Sequence, residues 1–181
     1  MRVAVTLMTL AMVAACSTAA TAPPEGVVHR GPTSMPALHP SVDHYPEGRA
    51  ILTLASGEHW DIPVLLALTD DHRQHGLMEV PDVPAATGMG FVFDTDRTCC
   101  FWMKGTLTDL DIAWIAADGT VVETTTMTTC RTDDCLRYQP SNGAAYRHAL
   151  EVRAGWLAEI GLGEGDRIRL LDAAGQLVAG S

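Results

Sequence analysis

The sequence predicts a mostly β fold, a β-sandwich or partly closed β-barrel with two short helices. Three observations carry that expectation. The chain has 181 residues, 47% of them hydrophobic, enough for one core plus appendages. Its apolar residues fall into many short runs rather than long periodic ones. Between those runs stand turn pairs such as Ser56-Gly57, Asp118-Gly119 and Asn142-Gly143, as a hairpin-rich chain requires.

The N-terminus is read separately from the fold. Residues 1–15, MRVAVTLMTLAMVAA, have a short positive start and an apolar run, the pattern of a signal peptide and too short for a stable membrane span. The run ends in Val13-Ala14-Ala15-Cys16, which resembles a bacterial lipobox. Cys16 is then the lipidation site, acylated as the new N-terminus, and the mature protein is exported and held in the cell envelope by lipid. Ser17 after it resembles an outer-membrane sorting signal, on the periplasmic face. Residues 16–47 hold the lipidated cysteine and six of the ten prolines without apolar periodicity, which reads as a tether. His29, His39 and His44 fall in it as solvent-exposed spacers. A single β-rich domain is expected over 48–181.

The formal charge of −10 argues against nucleic acid, because this protein would repel phosphates. Four cysteines remain after Cys16. Cys130 and Cys135 flank a polar loop and read as a disulfide, since no second pair at metal-ligand spacing accompanies them. Cys99 and Cys100 are neighbours that point to opposite faces of a strand, and they read as free buried thiols.

In chain order, residues 50–55 and 60–68 are strands joined at Ser56-Gly57, with Pro63 placing the second at an edge or a bulge. Thr69 caps a short helix with Asp70 and Asp71 in its first turn, and Gly76 ends it. His72 and His75 share a face of that helix, but no third ligand stands nearby, so it reads as solvated and no metal site is expected. Residues 79–88 are loop and 88–94 strand. Asp118-Gly119 turns the chain into 120–127, a long irregular excursion follows, and strand 145–152 brings it back. Residues 154–160 form the second helix, closed by Gly161, and two short strands flank residues 172–175.

The chemistry concentrates in residues 99–118, CCFWMKGTLTDLDIAWIAAD, which include the only lysine of the chain and two of its four tryptophans. With a turn at 105–108, two strands pair so that Phe101 and Met103 join Leu110, Ile112 and Trp114 on a core face. The opposite face then carries Trp102, Lys104, Asp109 and Asp111. Glu151 offers a further carboxylate, whose distance from the others the sequence does not supply. No serine elbow, Cys–His nucleophile pair or zinc-protease helix is present, and no cofactor motif.

His75-Gly76-Leu77-Met78, Gly88-Met89-Gly90-Phe91-Val92-Phe93, Phe101-Trp102-Met103-Lys104, Leu110-Asp111-Ile112 and Leu150-Glu151-Val152 occur in an order that resembles the bacterial and archaeal family of domain of unknown function 192, over roughly 51–171. The resemblance implies a compact, mostly β fold and no assigned reaction. Two positions depart from the family pattern: Gly105 replaces its usual asparagine, and Glu79-Val80 stand where an arginine usually follows the Gly-Leu-Met triplet. The expectation is therefore a non-catalytic envelope module that binds a small molecule, glycan or protein partner through Trp102, Lys104, Asp109 and Asp111. The alternative is a hydrolase or other acid–base enzyme using Lys104 and Asp111, with Glu151 as partner.

Overall fold

The structure, a computed structural model, describes residues 26–178. The expected signal peptide and Cys16 lie outside the described residues. Strands are β1 (Val28–Arg30), β2 (Glu47–Thr53), β3 (His59–Ala67), β4 (Gly88–Arg97), β5 (Phe101–Trp102), β6 (Leu110–Ile115), β7 (Val121–Met127), β8 (Arg137–Tyr138), β9 (Tyr146–Arg153) and β10 (Arg167–Asp172). The helices are α1 (Asp70–His75) and α2 (Trp156–Ile160), and a 3-10 turn spans Pro40–Val42. With 42% strand and 9% helix, the fold is mostly β, as expected.

One large mixed sheet dominates, in the order β10-β2-β3-β4-β9-β6-β7, with β1 added alongside β3. It is not closed into a barrel, although the starts of β7 and β10 meet through the Val121 N–H to Asp166 carbonyl bond of 2.7 Å. Alternate residues fill two cores on its opposite faces. Leu110, Ile112, Trp114, Met89 and Phe91 belong to one, while Ala113, Ile115, Leu150 and Val152 belong to the other with Trp156 and Leu157 of α2.

The expected pairing of residues 101–104 with 109–114 does not form. β6 is buried at every position, and a strand apolar on both faces belongs inside a sheet. It lies between β7 and β9, whereas β5 pairs only with β8. The alternation nonetheless holds, since Phe101 and Met103 enter the same core as Leu110, Ile112 and Trp114.

Pro63 is neither an edge nor a bulge residue. Pairing of β3 with β1 stops at Asp61 and with β4 starts at Val64, so the missing N–H falls between two ladders.

The described part of the expected tether, residues 26–47, is folded. β1 pairs in parallel with β3, Val42 and Tyr45 are buried in the first core, and the Tyr45 hydroxyl donates to the His72 carbonyl at 3.0 Å. The histidines there are not free spacers: His29 stacks on Trp60 with centroids 4.4 Å apart, and His44 meets His72 edge-on at 5.3 Å. Apolar residues spaced irregularly among prolines gave no periodic signal, yet irregular chain can fill a core if its polar groups find partners.

Candidate functional site: a cleft over a buried carboxyl

Thr69 caps α1 by accepting from the His72 N–H at 3.2 Å, and Gly76 ends it at φ 54°. This short helix stands over the β4–β9 face of the sheet. Between it and residues 97–106 lies a cleft of about 250 Å³. The glycine at position 88 lets β4 approach β9 closely, because a Cβ there would sit 2.2 Å from the Glu151 carbonyl oxygen.

Glu151 lies in the lining of this cleft, between Met89 of β4 and Ile112 of β6. It is 5% exposed, and burial pushes its carboxyl from the ordinary 4.5 up to about 8. Burial is the cause of that shift, and among the described residues no cation or donor offsets it. At neutral pH it is an uncharged acid, with one O–H to donate and one carbonyl to accept. His75 contributes a second uncommitted group, since its Nε2 is buried without a partner.

Around these groups stand Phe91, Phe101 and Tyr146, whose rings meet at centroid distances of 5.1 to 6.0 Å. The Tyr146 hydroxyl donates to the Cys99 carbonyl at 2.6 Å, and burial raises its pKa to about 12, which keeps it protonated. Arg73 is held by the carbonyls of Leu68 (2.6 Å) and Val92 (2.7 Å) and by Asp70 at 2.5 Å. Arg97 also lines the cleft, 5.2 Å from the Phe93 centroid, the same distance as Arg73.

A shallower groove of about 500 Å³ adjoins the cleft and shares Gln74, His75, Met78 and Trp102 with it. Lys104 and Gly105 line its far side. Trp102 therefore lines both spaces, Glu151 only the cleft and Lys104 only the groove. The Lys104 Nζ sits 5.8 Å from the Trp102 ring and 3.8 Å from Asp133 Oδ1, half exposed. Arg137, paired with Trp102 across β5–β8, stacks on the same indole at 4.6 Å.

The structure does not bring Asp109 and Asp111 to this place. Asp109 Oδ1 accepts from the Thr129 N–H at 2.6 Å. Asp111 is 4% exposed beneath α2, where Oδ1 accepts from the Thr126 hydroxyl at 2.7 Å and Oδ2 from the Leu157 N–H at 3.1 Å. It turned out to face α2 because β6 is central, so its other face is covered too.

Cys130 and Cys135 form a disulfide. A backbone bridge from Lys104 to Cys130 brings this loop, with Asp133, up to the lysine. Cys99 and Cys100 are not free buried thiols. They are joined to each other, with Cys99 exposed, and both line the cleft. They are not strand residues, because β4 ends at Arg97 and β5 begins at Phe101, which leaves the pair in the irregular connection between them.

Among the described residues no group of three metal-ligating side chains is gathered. The sequence pointed to Trp102, Lys104 and Glu151 but not to His75, Tyr146 or Arg97. A signal for His75 existed in His75-Gly76-Leu77-Met78, where it reads more simply as the end of a helix.

Fold and cleft together define a mostly β protein, one large mixed sheet with a small two-stranded one, that carries a buried carboxyl in the lining of a cleft. The chain belongs to the DUF192 family, described as an uncharacterized ACR, whose profile matches residues 52–170. Two solved structures share the fold. One, from Sinorhizobium meliloti 1021 and provisionally labelled a transcription regulator, is 31% identical, with 70% of this chain and 95% of that chain covered at a TM-score of 0.62. The other, a protein of unknown function from Novosphingobium aromaticivorans DSM 12444, is 25% identical, with 75% and 93% covered at a TM-score of 0.64. No curated protein matches the chain.

Proposed function

We propose that this protein is a lipid-anchored cell-envelope binding module whose cleft takes a small organic molecule, with Glu151 and Trp102 in its lining and Lys104 in the adjoining groove. The observation that carries the reading is Glu151, a buried carboxyl in the lining of the cleft with no cation or donor among the described residues to offset its burial. A ligand hydroxyl or carbonyl in the cleft would give this carboxyl a hydrogen-bond partner. A glycan stacked on Trp102 is less favoured, since Arg137 and Lys104 already lie over that indole.

The acid–base enzyme is the second reading, and one fact favours it: a neutral buried Glu151 is in the right state to donate a proton. Such a mechanism needs a second converging group, for which the cleft offers the unpartnered Nε2 of His75. Asp111, the partner expected from sequence, spends both oxygens beneath α2. The regulator label of the Sinorhizobium relative is not carried over, because a net charge of −10 repels phosphate.

Anchoring rests on the Val13-Ala14-Ala15-Cys16 pattern.

Native mass spectrometry of the protein mixed with the small-molecule fraction of cell envelopes tests the binding reading. The expected result is a retained adduct that a Glu151→Leu variant loses at least tenfold. An adduct indifferent to that substitution, or none at any concentration, overturns it. Labelled palmitate incorporated by the wild type and not by Cys16→Ser tests the anchor.

A further inference from the structure

Cys99 and Cys100 are adjacent in sequence and bonded to each other in the lining of the cleft. A bridge between neighbours closes almost no loop, so it removes little freedom from the unfolded chain and is a poor staple. The contrast is Cys130–Cys135, which secures a four-residue loop against Lys104. Stability therefore does not explain why sulfur is placed at 99 and 100.

Accessibility points to chemistry instead. Cys99 is exposed and Cys100 half-buried, so an attacking thiolate reaches the pair from solvent, whereas in the other bridge Cys130 is half-buried and Cys135 only 9% exposed. The main chain is pinned beside it by the Tyr146 hydroxyl on the Cys99 carbonyl at 2.6 Å. Arg97 lines the same cleft as the pair, is exposed and forms no ion pair among the described residues.

We propose that Cys99–Cys100 is a reversible thiol–disulfide exchange site that accepts electrons from a dithiol. One donor thiolate attacks the exposed Cys99 sulfur, forming a mixed disulfide and expelling Cys100 as thiolate. The second donor thiol, deprotonated, attacks the donor's own sulfur in that mixed disulfide and expels Cys99. The donor leaves as a disulfide, oxidised by two electrons, and the protein keeps two thiols, with the donor's two protons transferred to them through water. This site is independent of whether the cleft binds the ligand proposed above.

The test uses the full chain purified without reductant, alkylated under denaturing conditions and mapped by peptide mass before and after graded dithiothreitol. The Cys99–Cys100 peptide is expected unalkylated at first. It should then take two alkyl groups at a dithiothreitol concentration about tenfold below that which opens Cys130–Cys135, and revert with oxidised dithiothreitol. A Cys130→Ser/Cys135→Ser variant, read the same way, isolates the neighbouring pair. Two alkylated thiols in the untreated protein overturn the proposal, as does a pair that opens only together with global unfolding.

Discussion

The Leu157 N–H donates to Asp111 Oδ2 at 3.1 Å, tying the central strand β6 to the first turn of α2. The other oxygen of the same carboxylate takes the Thr126 hydroxyl at 2.7 Å, from the neighbouring strand β7. Asp111 thus holds three elements together under cover, which accounts for an acid in a strand otherwise made of hydrocarbon. Asp111→Ala leaves both donors unsatisfied and should cost about 2–4 kcal/mol in urea unfolding. Adduct retention on the folded variant should be unchanged. A surface-like cost below about 0.5 kcal/mol would remove this role.

Glu151 makes stability depend on pH in a definite direction. Its pKa in the fold, about 8, lies above the ordinary 4.5, so the folded state keeps the proton more tightly than the unfolded one. The contribution is complete below pH 4.5 and lost as pH rises through 8, on the order of 4 kcal/mol across that window. Glu151→Gln, which cannot ionise, should flatten this limb between pH 5 and 8 in roughly that amount. Parallel curves for variant and wild type would show that the carboxyl ionises freely.

Residues 26–47 should behave as part of the domain. Val42 is 1% and Tyr45 4% exposed, so removing the segment uncovers core. Limited proteolysis of the native protein is expected to leave residues 26–47 uncut, and Tyr45→Ala to lower stability by about 3 kcal/mol. Cleavage that runs to residue 47 without loss of stability would return the segment to the status of a tether.

The two positions that depart from the family pattern touch: the Glu79 N–H donates to the Gly105 carbonyl at 2.9 Å. Both have positive φ, 66° and 70°. Asparagine is the residue besides glycine that tolerates this conformation, which gives the family's usual residue a backbone reason. A Cβ at 105 would find Met78 Sδ at 3.4 Å, an ordinary contact, so space does not forbid a side chain. Gly105→Asn should therefore cost less than about 1 kcal/mol and Gly105→Val about 2 kcal/mol, read as midpoints of thermal unfolding. Equal effects of the two would mean that the backbone angle is not the constraint.

Much of the fold was legible because its signals are local. Thr69 and Gly76 delimit α1, Ser56-Gly57 joins β2 to β3, and the two-residue period sorted Phe101, Met103, Leu110, Ile112 and Trp114 into one core. Strand partnership was not legible. Phe101-Trp102 and 110–115 are close in sequence, but their partners, Arg137-Tyr138 and the strands β7 and β9, are chosen by burial across the whole sheet. The candidate site followed the same division, since Trp102 and Glu151 are far apart in sequence and come to line one cleft only through the tertiary fold.

By itself the sequence determined a mostly β chain of the DUF192 family, the extent of its two helices, the Cys130–Cys135 bridge and which side chains face a core. These depend on periodicity, turn chemistry and spacing, all of which act over a few residues. Only the tertiary structure decided that Glu151 lines a cleft, that Asp111 serves α2, that Cys99 and Cys100 join at the cleft wall, and that residues 26–47 pack on the domain. Desolvation and partner choice depend on which distant segments cover a group, and no local pattern records that.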